Sequence, residues 1–255
     1  MERKKRLLVL NWKMAPKTST EARSIFIAIK RVAGKARNVQ TVVCPPTLYL
    51  QDIKKLATGH RVVIGAQSVA SSNDEEQTGE LGSDMVVALG IQFVILGHSE
   101  RRRMGETEGM VNEKVRVALK SGLHVVMCFG EELRDGEGLY LQELHRQLTA
   151  RLSGVATAQL SRIIFAYEPL WAIGKSASRV ATPHDVHEVV VLIKKLLQEK
   201  YGKRAPRAAL LYGGSVNSTS DEVFWREGAI DGFLLGRSGR DPIQMEAIVR
   251  HADKF

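Results

Sequence analysis

The sequence of 255 residues contains only two cysteines, Cys44 and Cys128, each at the end of a separate apolar run. Two isolated thiols predict neither a disulfide framework nor a zinc site, so we expect buried free thiols and no metal. No apolar stretch is long enough to cross a bilayer. Only the short apolar segment 7–10 follows the basic N-terminus, which is too little for a signal peptide, and we expect a cytoplasmic protein without a membrane partner.

The sequence also lacks a motif in which basic and aromatic residues alternate, although its formal net charge is +9. The positive residues are spread along predicted helices and interleaved with acids, as in Glu143-Leu144-His145-Arg146. This distribution favours a solvated surface that attracts anionic metabolites over a nucleic-acid-binding surface. A basic barrel that binds nucleic acid and has lost catalysis is the remote alternative.

Linkers, low-complexity tracts and a Gly-x-Gly-x-x-Gly turn are absent as well. Apolar runs rich in β-branched residues recur instead, at 7–11, 41–44, 62–67, 93–97, 124–129, 163–168, 208–212 and 232–236. Amphipathic stretches separate them, among them 20–33, 111–121, 185–201 and 220–228. Alternating strands and helices predict parallel pairing with right-handed crossovers. Eight such units in this length predict an α/β protein with one domain, residues 1–255, folded as a closed (β/α)8 barrel rather than a doubly wound open sheet.

In such a barrel the chemistry gathers where the strands end, and the sixth predicted strand ends in a glutamate. Pro169 cannot continue a central strand and biases Glu168 toward an extended backbone. Small residues around Trp171 follow, up to Gly174, and indicate a lid. A carboxylate that can be covered and shielded from water is suited to act as a catalytic base.

Two other strand ends carry polar residues suited to an oxyanion. Strand alternation predicts that Asn11 and Lys13 face a common site while Trp12 faces away. His98 follows a glycine and precedes helix-favouring residues, so we expect it near a helix N-terminus. The helix dipole there keeps an imidazole neutral, and a neutral imidazole can donate to a carbonyl oxygen.

The seventh and eighth units close in glycine-rich turns, 211–217 and 234–238. Backbone N–H groups at helix starts form anion sites, and glycine permits close approach of a phosphate. Two such turns after the last two strands predict the phosphate site of a (β/α)8 barrel.

Four motifs stand in a fixed order: Asn11-Trp12-Lys13-Met14, Gly-His-Ser-Glu-Arg-Arg at 97–102, Ala-Tyr-Glu-Pro-Leu-Trp-Ala-Ile-Gly at 166–174 and Tyr-Gly-Gly-Ser-Val-Asn at 212–217. Together they resemble the triosephosphate isomerase family, and the resemblance extends from about residue 7 to residue 250. It implies a TIM barrel that isomerises a phosphorylated triose in glycolysis and gluconeogenesis without a cofactor. That family pairs a glutamate base with a neutral histidine.

The resemblance also implies a role for each matching residue. Glu168 resembles the base, His98 the electrophile and proton shuttle, and Lys13 the cation that stabilises the enediolate beside Asn11. The phosphate would be held at Gly174, Ser215, Gly236 and Arg237. Supporting positions are Ser99, Glu100, Pro169, Trp171, Tyr212, Gly213 and Gly214, with Glu100 pairing with the lysine and Pro169 and Trp171 forming the first hinge of the lid. Thr78 matches a loop residue that reaches into a partner's pocket, which implies a homodimer.

Three segments depart from the family pattern. The lid between Gly174 and Pro183 is about two residues longer, the turn after strand eight reads Gly236-Arg237 instead of Gly-Gly, and acidic residues 74–76 precede the dimer-loop threonine. The first two departures also resemble relatives that isomerise four-carbon erythrulose phosphates. A tetrulose phosphate is therefore the alternative substrate, although Asn11 is retained as in the triose enzymes.

Overall fold

The computed structural model describes residues 5–174, 177–202 and 205–255. Within these ranges eight parallel strands close into a barrel in the order in which they occur along the chain. They are β1 (Arg6–Asn11), β2 (Val39–Cys44), β3 (Val62–Ala66), β4 (Phe93–Leu96), β5 (His124–Phe129), β6 (Ile163–Tyr167), β7 (Ala209–Tyr212) and β8 (Gly232–Leu235). The predicted (β/α)8 TIM barrel is confirmed.

Helices connect successive strands and surround the barrel. In the described ranges they are α1 (Ser19–Ala33), α2 (Leu50–Leu56), α3 (Ser83–Ala88), α4 (Ser99–Arg103), α5 (Glu108–Lys120), α6 (Leu139–Arg151), α7 (Pro183–Tyr201), α8 (Asp221–Glu227) and α9 (Pro242–Lys254). Side-chain caps fix several of their starts: Thr18, Thr107 and Asp241 each accept a backbone N–H of the first turn. The cap at Thr107 explains why α5 begins three residues before the predicted 111–121 stretch.

The apolar residues divide into two layers, as strand alternation requires. Val9, Val42 and Ile95 belong to a small cluster of alternate strand residues that includes both cysteines. Leu8 and Leu10 belong to the larger cluster between the strands and the helices. Both thiols are buried and free, as expected from their positions in the sequence.

Several predicted strands end one residue early, and this places the polar residues on the rim. Gly97, Glu168 and Gly236 come directly after β4, β6 and β8 rather than within them. These residues therefore lie at the C-terminal rim of the barrel, just beyond the strands. None of the described helices is long and apolar enough to cross a membrane.

Candidate active site

The C-terminal ends of the strands surround a cavity of about 650 Å³. Most of the site residues predicted from the sequence line it: Asn11, Lys13, His98, Ser99, Glu100, Glu168, Gly174, Gly213, Gly214, Ser215, Gly236 and Arg237. Pro169, Trp171 and Tyr212 are buried behind the cavity wall instead. Thr78 is exposed on the loop between β3 and α3 and does not line this cavity.

Glu168 is a buried carboxylate whose two oxygens both have protein partners. Its backbone N–H donates to the Phe129 carbonyl at 2.8 Å, which fixes the residue just past β6. Oε2 accepts from the Ser99 N–H at 3.0 Å, and Oε1 lies 3.0 Å from Nε2 of His98. Only 3 % of the residue is exposed, so its charge interacts mainly with these donors.

His98 caps α4, which confirms its expected place at a helix N-terminus. Its Nδ1 accepts the Glu100 N–H at 3.2 Å, so that nitrogen carries no proton. The ring proton is therefore on Nε2, where it is donated to Glu168. The same N–H can be donated to an oxygen atom of a bound molecule when that oxygen takes the place of the carboxylate.

The pKa of Glu168 reflects opposing influences. Burial raises it, whereas the neighbouring His98, the Ser99 N–H and the more distant Arg102 lower it, and the net result is a pKa below the usual value for glutamate. The carboxylate is therefore ionised at neutral pH and can accept a proton. A molecule that displaces its donors would make the carboxylate more basic.

Lys13 reaches the cavity by a turn rather than by strand alternation. The strand ends at Asn11, whose Oδ1 accepts the Lys13 N–H at 3.1 Å, and Lys13 adopts φ 55°. The Lys13 Nζ then lies 2.7 Å from Oε1 of Glu100. Trp12 is fully buried on the opposite side, as predicted. The prediction of the facing side was correct, but the left-handed backbone that produces it was not foreseen.

The phosphate turns present backbone donors, and α8 begins within one residue of the predicted 220–228 stretch. The turn after β7 continues as a loop closed by Asn217, whose Oδ1 accepts the N–H groups of Thr219 and Ser220, and α8 begins at Asp221. After β8 a short 3-10 turn, Ser238–Arg240, begins directly behind Arg237. Within the described ranges, the N–H groups of Gly174, Ser215 and Gly236 have no hydrogen-bond acceptor. These three donors are free to bind an anion.

Two glycines behind this turn are required by close approach. A Cβ on Gly214 would lie 2.1 Å from Oη of Tyr212, and a Cβ on Gly213 would lie 3.1 Å from Cγ of Glu168. The Tyr212 ring stacks on Phe224 of α8 at a centroid distance of 4.4 Å, so it cannot easily move. The phosphate turn after β7 is therefore built onto the aromatic layer beneath it.

The entry of the lid is anchored by residues that sequence reasoning missed. The Trp171 Nε1–H donates to Oε1 of Glu131 at 2.8 Å, and the Tyr167 hydroxyl donates to the same oxygen at 2.8 Å. Arg134, 3.3 Å from that oxygen, completes the cluster. Because Glu131 follows β5, a neighbouring strand, no local pattern around Trp171 could indicate it.

The exit of the lid passes directly into α7, which begins two residues before the predicted 185–201 stretch. Thr182 caps α7, Pro183 is its first residue, and the Asp185 carboxylate accepts the Thr182 N–H at 2.7 Å in a reciprocal capping box. Lys175 and Ser176, in the lengthened part of the lid, lie outside the described residues.

Other residues that line the cavity were also missed. Arg103 approaches from the end of α4, and Asn217 lies in the loop after β7. The remaining side of the cavity is formed by Ser238 after β8 and by Asp241 and Gln244 at the start of α9. Gln244 accepts the Ser218 N–H at 2.9 Å and so ties the two phosphate turns together. Within the described ranges no group of three or more His, Cys, Asp or Glu side chains is placed to hold a metal ion.

The barrel and its rim define a class: a (β/α)8 enzyme with a buried carboxylate–imidazole pair and backbone donors for an anion. The family model for triosephosphate isomerase matches residues 6–252. A triosephosphate isomerase from Moorella thermoacetica is 37 % identical over 243 residues, covering 94 % of this chain and 96 % of the relative. Those from Symbiobacterium thermophilum (38 % over 247 residues, 95 % and 94 % covered) and Solibacter usitatus (35 % over 249 residues, 96 % and 99 % covered) are also similar. The chain belongs to the triosephosphate isomerase family.

Proposed function

We propose that this protein, as a single catalytic domain, interconverts dihydroxyacetone phosphate and D-glyceraldehyde 3-phosphate through an enediolate. The observation that carries the proposal is the buried contact of 3.0 Å between the Glu168 carboxylate and Nε2 of His98 at the rim of the cavity. The names of the three relatives support the triose substrate, and none of these findings favours the four-carbon alternative.

Glu168 is the base in this proposal. It takes the proton from the carbon next to the carbonyl, and the electron pair of that C–H bond forms the double bond of the enediolate while the carbonyl π pair moves to oxygen. His98 donates its Nε2 proton to that oxygen and accepts the proton of the neighbouring hydroxyl. Protonated Glu168 then returns its proton to the other carbon. General acid–base catalysis of this kind contributes about 10²- to 10⁴-fold to the rate.

Substrate binding requires an exchange of partners. The Nε2–H of His98 is donated to Glu168 in the structure, so a carbonyl oxygen must replace the carboxylate there. Once that donor is lost, the pKa of Glu168 rises toward the value that burial alone favours. The base thus gains strength when a carbon acid is present.

The phosphate and the developing oxyanion are held by different groups. The free N–H groups of Gly174, Ser215 and Gly236 would bind the phosphate, and Arg237 adds an N–H and a positive side chain. The Lys13 ammonium would stabilise the enediolate. Neither task calls for a cofactor or a metal. The substrate belongs to central sugar metabolism, which supports a cytoplasmic location.

Activity on trioses and tetroses tests this function directly. We expect a kcat/KM on dihydroxyacetone phosphate and glyceraldehyde 3-phosphate about 10- to 200-fold above that on erythrulose phosphates, the usual discrimination against one additional carbon in a pocket. A higher kcat/KM on the tetrulose phosphate would overturn the triose assignment. Loss of both activities, with salt-dependent binding to nucleic acid, would support the non-catalytic alternative.

We also propose a homodimer through the loop around Thr78. Four of the seven apolar side chains that are more than 60 % exposed in the described part of the chain are Met14 (95 %), Leu48 (88 %), Met104 (81 %) and Met85 (61 %). They follow the consecutive strands β1 to β4 and therefore share one side of the barrel rim. Exposed apolar side chains after four neighbouring strands, together with the exposed loop around Thr78, fit a contact with a second copy of this chain.

Sedimentation of Leu48→Glu tests the dimer. The wild type is expected to sediment as a dimer and the variant as a monomer, because a charge would be buried in the contact. Leu133→Glu is the matched control, since Leu133 is 79 % exposed but follows β5, outside the proposed surface. A monomeric wild type, or a Leu48→Glu variant that stays dimeric like the control, would contradict the proposal.

A further inference from the structure

At the exit of the lid, Arg179 binds the first turn of α7. Nη1 and Nη2 of Arg179 each lie 2.7 Å from one carboxylate oxygen of Asp185. The same guanidinium lies over the Trp171 indole, with Cζ 4.3 Å from the ring centroid. Two parallel charge-assisted bonds and a stacked planar cation form a geometry that an ammonium group cannot reproduce.

The acidic partner of Arg179 is held rigidly. Asp185 is 5 % exposed and is the third residue of α7. Its carboxylate also accepts from the N–H and the hydroxyl of Thr182, at 2.7 and 2.8 Å. Burial raises the pKa of Asp185, but the donors Arg179 and Thr182, with Arg134 nearby, hold it well below its usual range. Arg179 is therefore bound to a fixed and ionised group.

Trp171 is in turn held on three sides. Its indole N–H donates to Glu131, its carbonyl accepts the Ser178 N–H at 2.7 Å, and its ring face carries Arg179. The residue lies in the 3-10 turn Leu170–Ala172, directly after Glu168 and Pro169. Fixing the indole therefore fixes the backbone that carries the carboxylate.

We propose that Arg179 is a positioning residue for the reaction: by clamping Trp171 against the start of α7, it holds the turn that carries Glu168 in place. The clamp joins the exit of the lid to its entry, beside Arg134, whose Nε lies 3.4 Å from Asp185 and whose Cζ lies 5.6 Å from the Trp171 ring centroid. Arg179 does not line the cavity and needs no contact with the substrate. The kinetic part of this inference rests on the proposed isomerase activity.

Arg179→Lys and Arg179→Met test the clamp, because lysine keeps the charge and loses the planar fork. The matched control is the same pair of changes at Arg146, which forms an equally bidentate pair with Glu143 on α6, at 2.8 and 2.7 Å. Steady-state kcat/KM is measured on both triose phosphates. The protein has three tryptophans, so 5-fluorotryptophan labelling gives three ¹⁹F resonances, and Trp171→Phe identifies the one that belongs to Trp171.

Both Arg179 variants are expected to lose about tenfold in kcat/KM, because a small displacement of the base is amplified in the rate. Their Trp171 resonance should broaden or split, while those of Trp12 and Trp225 stay sharp. The Arg146 variants should stay within about twofold of the wild type, as expected of an exposed surface site.

Three results would overturn the clamp. Full activity of Arg179→Lys would mean that the charge alone suffices. A sharp Trp171 resonance in both variants would mean that the indole does not depend on Arg179, whatever the rates. Equal losses in the Arg146 variants would mean that the effect is not local. If the wild type itself does not isomerise triose phosphates, the proposed function fails, and the ¹⁹F result alone then decides whether the clamp exists.

Discussion

The two halves of the cavity differ in how their polar groups are satisfied. In the catalytic half, both oxygens of Glu168 are bound, by His98 and by the Ser99 N–H, and the Lys13 ammonium is paired with Glu100. In the phosphate half, the N–H groups of Gly174, Ser215 and Gly236 have no acceptor among the residues that the structure describes.

This difference separates binding from chemistry. The phosphate half can receive an anion without breaking a protein contact, so its interactions contribute equally to the bound substrate and to the transition state. The catalytic half must release His98 from Glu168 before either group can act, so its interactions change during the reaction. Substitutions in the phosphate half should therefore appear mainly in KM, and substitutions in the catalytic half mainly in kcat.

The largest expected effect comes from Glu168→Gln. Glutamine keeps the shape of the side chain, and its carbonyl oxygen can still accept from one of the two donors, the Ser99 N–H or the His98 Nε2–H. The fold should therefore be kept, but glutamine cannot take a proton. We expect kcat to fall by about 10²- to 10⁴-fold, the usual contribution of a general base. Binding of an unreactive phosphate ester such as glycerol phosphate, measured by calorimetry, should stay near the wild-type value.

Glu132→Gln is the control for this change, because Glu132 is exposed and does not line the cavity. It should leave both kcat and ester binding unaffected. A Glu168→Gln variant with near-normal turnover would remove Glu168 from its role as base. A variant that lost ester binding as strongly as turnover would show that the two halves are not independent.

A sharper comparison places the same methyl group in each half. In Gly213→Ala, the new Cβ would lie 3.1 Å from Cγ of Glu168 and 3.2 Å from the Tyr167 carbonyl oxygen, so the carboxylate has to shift. In Gly236→Ala, the nearest atom is Cε of Lys13 at 3.8 Å, an ordinary contact. We expect Gly213→Ala to lower kcat by about tenfold. Gly236→Ala should weaken one phosphate contact by about 1 kcal/mol, or about fivefold in KM.

Steady-state kinetics in both directions check this pair, with thermal unfolding as the control for folding. The distinction fails if Gly236→Ala lowers kcat with KM unchanged, or if Gly213→Ala raises only KM.

The barrel and most of its rim could be predicted because their signals are local. Each strand is a short apolar run that ends in a glycine, proline or polar residue, and a parallel barrel brings those ends together. His98 at a helix start and Thr182 as a cap follow from neighbouring residues alone. The sequence placed Glu168 at the last position of its strand. Only the observed strand pairing shows that the strand ends at Tyr167 and that Glu168 follows it.

What could not be predicted depends on contacts between distant segments. Glu131 and Trp171 are 40 residues apart, and only the pairing of β5 with β6 brings them together. Lys13 faces the cavity because its backbone is left-handed and is stabilised by the side chain of Asn11. The alternation of side chains along a strand does not predict such a backbone. The loop before α8 likewise depends on the side chain of Asn217, whose Oδ1 accepts the N–H groups of Thr219 and Ser220, although the helix itself begins within one residue of the predicted stretch.

The pairing of Glu168 also predicts its titration. Burial raises the pKa of this group, but His98, the Ser99 N–H and Arg102 outweigh burial and lower the pKa beneath the ordinary value of 4.5. A lowered folded-state pKa stabilises the protein above pH 4.5, and this stabilisation is lost as the pH falls through the folded-state value.

NMR titration of ¹³C-labelled glutamate in the free protein should therefore give an apparent pKa below 4.5 for Glu168. The stability of the wild type relative to Glu168→Gln should decrease only at lower pH. An apparent pKa above that value would mean that burial dominates and that the carboxylate is not held by its donors in solution.

The smallest effect is expected at the other pair of the catalytic half, Lys13 and Glu100. Their side chains are 41 % and 49 % exposed, so solvent screens the ion pair despite its short distance of 2.7 Å. Glu100→Gln should change the free energy of unfolding by less than about 1 kcal/mol, as for other exposed pairs. In this variant the Lys13 ammonium no longer has to leave a carboxylate when an anion enters the cavity. KM should therefore fall slightly or stay unchanged. Urea unfolding and steady-state kinetics measure the two quantities. A large loss of stability would mean that this pair, unlike that of Glu168 and His98, is a structural element rather than one that opens for the substrate.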